Sequence, residues 1–248
     1  MICGFDKLKT LAVQSRHVLV VLCLSFWCLQ TVLATNIPTL AVHNVGDDYP
    51  PSASYCNQLP PDLCNLRSAW LACMEVQSAC TIVLPEVGHL YLNATFGSLR
   101  VLERSNVTIQ GSGSVITPGG AAMQLMNYTA PVVWDTSTSP ALQMTNMTLF
   151  GFGNPLTELG GALYLDGDLT LSIVGVHFVN STALMGGAIY LTNNSLSTSI
   201  LSSSFHNCSA TYSGGAIYAD QLVRSLSMFD NHFESCGAGD KVLLAQLR

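Results

Sequence analysis

"MGGAIYL" at residues 185–191 decides the fold, because it returns. It recurs as "LGGALYL" at 159–165 and as "SGGAIYA" at 213–219. Glycine is costly inside regular structure, so a repeated pair ahead of an apolar run marks a backbone demand. The leading glycines are Gly160, Gly186 and Gly214, at spacings of 26 and 28, and Gly161, Gly187 and Gly215 follow them. A phenylalanine precedes each pair by 8 or 9 residues, at Phe152, Phe178 and Phe205, and Phe233 extends the column. Asn154, Asn180 and Asn207 stand two residues after the first three, with Ser235 in the fourth place.

Two columns keeping step over several units are the signature of a repeat architecture. Each unit reads strand, turn, strand, turn: "LTLSIVGVHF", "VNSTALM", "GGAIYL", "TNNS". Leucine-rich repeats need an L-x-x-L-x-L frame, which these units lack, and propeller blades need about 40 residues. Short strands joined by turns fit one coil of a parallel β-helix, in which each coil pairs with the next and like residues stack. The alternation then assigns faces. Leu163, Ile189 and Ile217 fill the interior, as do Leu165, Leu191 and Ala219. Tyr164, Tyr190 and Tyr218 face outward, because a phenol needs a polar partner that an apolar interior seldom supplies. The Phe column packs near a coil corner. The Asn column either hydrogen-bonds the turn backbone or carries glycans.

The rest of the chain divides around this region. Residues 1–34 read as a signal peptide: Lys7, Lys9 and Arg16 precede the apolar run Val18–Leu33, and Val32-Leu33-Ala34 offers a small-residue cleavage site. That run is 16 residues, short of the ~20 of a membrane span, and an uncleaved signal anchor is the competing reading. No later stretch approaches that length. Residues 35–62 form an extended leader with Pro38, Pro50 and Pro51. Residues 63–80 hold a short helix capped by Asp62, with Leu63, Leu66, Trp70, Cys73 and Val76 as its apolar stripe. From 81 to 248 the texture is β: "TIVLP", "HLYLN" and "SNVTIQG", then the repeats. "GSGSVITPGG" (111–120) reads as turns between coils and not as a phosphate cradle. The fourth unit loses its glycines and ends "GAGDKVLLAQLR", either a degenerate capping coil or the edge of a longer protein.

With 248 residues, 49% hydrophobic and 10% charged, the chain can bury a substantial core. Its formal charge of −6 and the lack of a basic run exclude the phosphate-neutralising face that nucleic-acid binding needs. Export gives two further patterns a meaning. Sequons stand at Asn93, Asn106, Asn127, Asn146, Asn180, Asn193 and Asn207, glycosylation candidates if the source is a eukaryote. Beyond residue 34 the cysteines are even in number, as an oxidising compartment favours. Cys56, Cys64, Cys73 and Cys80 allow three pairings among themselves. A zinc site is the competing reading, without paired C-x-x-C knuckles to support it. Cys208 and Cys236 each follow a column phenylalanine by three residues, so they stack in adjacent coils at a spacing that a disulfide between them accepts.

The capping helix, the "TIVLP" strand and the "NVTIQGSG" coil resemble the start of right-handed parallel β-helix, pectin-lyase-like domains. The GGA[IL]-Tyr units resemble the GGAI repeats of the polymorphic outer membrane protein family, whose companion motif is F-x-x-N where this chain has F-x-N. The resemblance covers residues 63–236 and implies an all-β, right-handed, single-stranded parallel β-helix with a short N-terminal capping helix. Carbohydrate-active members of that fold use clustered aspartates, or Ca²⁺-binding carboxylates with a basic residue. Asp166 and Asp168 in "LDGDL" are the best pair here, with Thr192 and Asp220 in the same column of later coils. Solvated turn carboxylates are the bland reading of all three aspartates. No basic residue lies between 105 and 223, and His177 and His232 sit two coils apart. The expectation is a secreted or cell-surface module for adhesion, recognition or structure, without cofactor or metal, whose partners are glycans or surface proteins. The alternative is a polysaccharide lyase or glycoside hydrolase acting along the groove.

Overall fold

Parallel strands need a crossover between them, and a chain with one short α-helix among its described residues supplies it by winding. The computed structural model describes residues 37–47, 50–57, 63–76, 79–86, 88–101, 106–120, 122–129, 140–156, 159–193, 197–220 and 223–239. The signal segment 1–34 and the final "DKVLLAQLR" lie outside them, as does Asp62. Residues 38–248 fall in one unit. They form a parallel β-solenoid whose strands stack into three sheets.

The long sheet runs through Thr39–Ala41, Ala79–Val83, Asn106–Gly119, Ala141–Phe150, Thr170–Val179, Ser197–Leu201 and Ser225–Phe229, each parallel to the next. A second sheet stacks Leu99–Arg100, Met126–Thr129, Leu163–Asp166, Ile189–Thr192 and Ile217–Ala219. The third stacks Thr182–Met185, Ser209–Ser213 and Gly237–Ala238. Leu163, Ile189 and Ile217 are in register and fully buried, and so are Leu165, Leu191 and Ala219. The inward alternation expected from the sequence is therefore the observed one.

The double glycines mark a repeated close approach between coils. Gly161 and Gly187 donate to the carbonyls of Gly186 and Gly214, at 3.2 and 3.0 Å. The leading glycine of each pair is left-handed, with φ of 67°, 64° and 68°. The second is ordinary in φ but has no room: a Cβ on Gly187 would stand 2.1 Å from the Gly215 carbonyl oxygen.

The phenylalanine column is shifted in its first unit. Register pairs Leu149 with Phe178, then Phe205, then Phe233. The rings of Phe178, Phe205 and Phe233 stack at 4.8 Å intervals. Phe152 is buried but lies three positions later, level with Ser181, because the Thr182 amide donates to its carbonyl. Asn154 leaves its column likewise, and Gly151 takes the place. The reason is conformational. Gly151, Asn180, Asn207 and Ser235 all adopt φ between 51° and 75°, a left-handed corner that suits glycine or a short polar residue. The segment 111–119 is also strand rather than turn, bulged between Gln110 and Ser114, with Ser114 and Ile116 directed inward.

At the N-terminal side the helix runs Leu66–Glu75. Its cap is Asn65, whose side chain accepts from the Ser68 amide at 2.8 Å, so it starts three residues later than expected. Leu66, Trp70 and Cys73 are buried as the stripe requires, while Leu63 precedes the helix and is exposed. The disulfides are Cys56–Cys64 and Cys73–Cys80, which close the helix against the leader and against the first long strand. A buried ion pair, unseen in the sequence, joins leader to helix: Arg67 Nε to Asp47 Oδ2 at 2.8 Å. The same carboxylate accepts from the Asn93 amide at 3.0 Å, and Phe96 packs beside the guanidinium.

Three stability outcomes follow from this packing. Gly187→Val should lower unfolding free energy by at least about 2 kcal/mol in denaturant melts, since nothing around it can yield. Gly88→Ala, where a Cβ would meet only ordinary contacts at 3.7 Å and beyond and the φ is not left-handed, should cost less than about 1 kcal/mol. Arg67→Met should cost about 3–5 kcal/mol by stranding Asp47, and adding Asp47→Leu should recover part of that loss. Additive losses in the double variant would contradict the pairing.

Candidate functional site

The outer face of the second sheet carries the most ordered polar arrangement. Its residues in register are Arg100, Asn127, Tyr164, Tyr190 and Tyr218. Strand alternation turns all five outward, because Leu99, Met126, Leu163, Ile189 and Ile217 beside them are buried. The tyrosine rings stack face to face, at 5.5 Å between Tyr164 and Tyr190 and 5.1 Å between Tyr190 and Tyr218. Ring faces are thereby spent on each other, and the ring edges with the Tyr190 and Tyr218 hydroxyls remain for a ligand.

Two residues along each strand lies a second outward column: Thr129, Asp166, Thr192, then Asp220. Asp166 is held on both oxygens, by Asn193 Nδ2 at 2.7 Å and by the Tyr164 hydroxyl at 3.2 Å. Thr192 Oγ1 donates to Asp220. The Tyr190 hydroxyl is pushed up to about 12, first by burial and then by the charges of Tyr218 and Asp220. Tyr164 is raised too, by burial first and then by the adjacent Asp166 carboxylate. Both phenols therefore stay protonated donors throughout the neutral range.

The expected aspartate pair is not brought together. Gly167, at φ 123°, breaks the alternation between Asp166 and Asp168. Asp166 stays on the outer face while Asp168 is buried, its carbonyl accepting from the Tyr128 hydroxyl at 3.0 Å. Tyr128 itself faces inward, with that bond satisfying it. Asp166 and Asp220 share a column two rungs apart, about 10 Å by strand spacing. Paired carboxylates in glycosidases stand roughly 5–9.5 Å apart.

On the long sheet, Ser204 separates His177 from His232 in register, and its Oγ lies 2.7 Å from His177 Nδ1. His206 and His232 both approach Glu234, at 3.2 and 3.7 Å, on the exposed surface. Among the described residues, no group of three or more His, Cys, Asp or Glu is placed to hold a metal ion. No helix among them is long and apolar enough to cross a membrane. The sequon asparagines are half-buried or exposed, none fully buried. Four of them, Asn146, Asn180, Asn193 and Asn207, occupy left-handed corners. Asn207 Nδ2 donates to Asn180 Oδ1 at 2.8 Å, so that column points outward and forms its own ladder.

The bridge expected between Cys208 and Cys236 is not formed, and both are thiols. Equivalent side chains of a parallel ladder project side by side, near the 4.8 Å strand spacing, whereas a disulfide draws Cβ atoms to about 3.8 Å. Each sulfur rests instead on a carbonyl of the preceding coil, Phe178 at 3.6 Å and Phe205 at 3.3 Å. The neighbouring Cys208 thiol, with backbone donors and His206 and against burial, holds Cys236 below an ordinary thiol. The Cys236 sulfur, and then burial, pushes Cys208 up.

Compared with protein-family models, with curated proteins and with solved structures, the chain gives no match. The expected likeness to pectin-lyase-like domains thus rests on its motifs and on the parallel solenoid.

Cys236 should react with iodoacetamide along a titration centred below the about 8.5 of an ordinary thiol. Cys208 should react only on unfolding. Peptide mass mapping separates the two, and a Cys208–Cys236 linked peptide in a non-reduced digest would reverse the thiol assignment.

Proposed function

We propose that the chain is a secreted or cell-surface recognition module that binds extended, hydroxyl-rich polymers, glycans foremost, along the outer face of the tyrosine sheet. One observation carries this reading. Phenols repeat at every rung and carboxylate acceptors at every second rung of the adjoining column, each held in place by its neighbours. A polymer with repeating hydroxyls meets a phenol at each rung and the same phenol–carboxylate pair at every second one, and the preorganised column loses little side-chain entropy on binding. Both outward aspartates accept fixed hydrogen bonds, Asp166 from Asn193 and Tyr164 and Asp220 from Thr192, which favours recognition over hydrolysis. Export is supported by the N-terminal segment and by the two disulfides around the helix. The pectin-lyase-like likeness points the same way as regards glycans.

The test is a panel of neutral and acidic polysaccharides assayed for binding by calorimetry and for cleavage by reducing ends and unsaturated products. Binding without product is expected, weakened about tenfold or more in Tyr190→Ala with the circular dichroism spectrum unchanged. Product release would establish the lyase or hydrolase alternative. Affinity unaffected by Tyr190→Ala would move the site off this face.

A further inference from the structure

The tyrosine column ends at its first rung in a cation. Arg100 lies outward on strand Leu99–Arg100, and its backbone carbonyl accepts from Trp70 Nε1 at 2.8 Å, which fixes the strand to the helix. Two adjoining cavities meet at this residue, and both are lined by Ser98 and Arg100. One, of about 410 Å³, has Trp70, Leu71, Met74 and Phe96 on its walls. The other, of about 470 Å³, has Asn127 and Thr129 of the next rung. Sites for small organic ligands have this size and this make-up, an apolar chamber with a few converging polar groups.

The two guanidiniums at the cleft differ in their freedom. Arg67 is committed: its Nε holds Asp47, and its terminal nitrogens reach the carbonyls of Asn93 and Phe96 at 3.4 Å. The Arg100 guanidinium has no partner among the described residues and is exposed to the cleft. A chain of net charge −6 repels anions in general, so an anion bound here would be retained by this local fork. A guanidinium offers two parallel N–H donors that match a carboxylate or sulfonate. Asn127 donates one N–H to Gln124 Oε1 at 3.1 Å and keeps its remaining donor and its carbonyl for a ligand.

We propose that the cleft around Arg100 binds a small organic anion with an apolar body. The body occupies the Trp70–Phe96 chamber, and the carboxylate or sulfonate sits on Arg100 beside Asn127 and Thr129. This site uses neither Tyr190 nor Asp166, so it stands whether or not the outer face binds glycans.

The probe is 8-anilinonaphthalene-1-sulfonate, titrated into full-length protein from a bacterial periplasm, where disulfides form and Asn127 is not glycosylated. Saturable one-site binding with energy transfer from tryptophan is expected. Arg100→Ala should weaken it about tenfold or more, the loss of one charge-assisted pair. The uncharged analogue N-phenyl-1-naphthylamine should bind more weakly than the sulfonate by a similar factor. Leu71→Glu, at a half-open wall position, should abolish the signal with the melting temperature unchanged. Non-saturable binding, equal affinity in Arg100→Ala, or equal affinity for the uncharged analogue would each overturn the proposal.

Discussion

Backbone approach between coils is the constraint on which everything else depends. A solenoid has no long-range contacts beyond its neighbours, so each rung must present amides and carbonyls in register with the next. The approach recurs rung after rung where Gly187 lies against Gly215 and Gly161 against Gly187, closer than any Cβ permits. Ala162, Ala188 and Ala216 follow, and the amides of the first two reach the alanine carbonyls of the next rung at 2.8 Å. Once that hand-over is fixed, Leu163, Ile189 and Ile217 can only face the interior, and the tyrosines beside them can only face out. The ordered outer surface is thus a consequence of the close packing of backbone on the other side of the turn.

The corners impose a second requirement, weaker in letters though equal in physics. Two columns of left-handed residues turn the chain: Asn146, Gly175, Ser202 and Asp230 in one, Gly151, Asn180, Asn207 and Ser235 in the other. Gly, Asn, Asp and Ser serve interchangeably there because each tolerates or locally stabilises positive φ. Leu149 and Phe178 are equivalent for a similar reason, since the interior asks for apolar volume and not for a ring. This explains what a reader of the sequence can and cannot see. The glycine pairs are legible because nothing else fits between the coils. The first corner is misread because Phe152 and Asn154 match the letters while Leu149 and Gly151 match the geometry.

The outer face was legible to the same degree. Tyrosine placed outward by its hydroxyl is correct for Tyr164, Tyr190 and Tyr218, whose rings stack on the surface. Tyr128 breaks the rule, and its partner is the Asp168 backbone carbonyl, forty residues away and invisible to spacing. Asp166 and Asp168 share a parity that a regular strand would put on one face; a single left-handed glycine between them sends the second inward. Asp47 and Arg67 belong to different elements, and only the fold brings them to 2.8 Å. Pairs within one repeat column can be read from period alone, whereas pairs between the leader, the helix and the first coil cannot.

The change of chemistry along the outward column has a structural origin. From Tyr164 onward each rung is flanked by rungs like itself, so stacking rewards identical aromatic residues and the face becomes uniform. At Arg100 the neighbour is no longer a rung but the helix, whose Trp70 seizes the strand through the Arg100 carbonyl. A helix side is rounder than a strand edge and cannot fill the last layer flush, which leaves the chamber walled by Trp70, Leu71, Met74 and Phe96. The solenoid therefore carries a repetitive surface suited to a repetitive partner, and at its capped end a single cleft suited to a compact one. Both arise from the same rule, that a residue's role is set by whether the next layer repeats it.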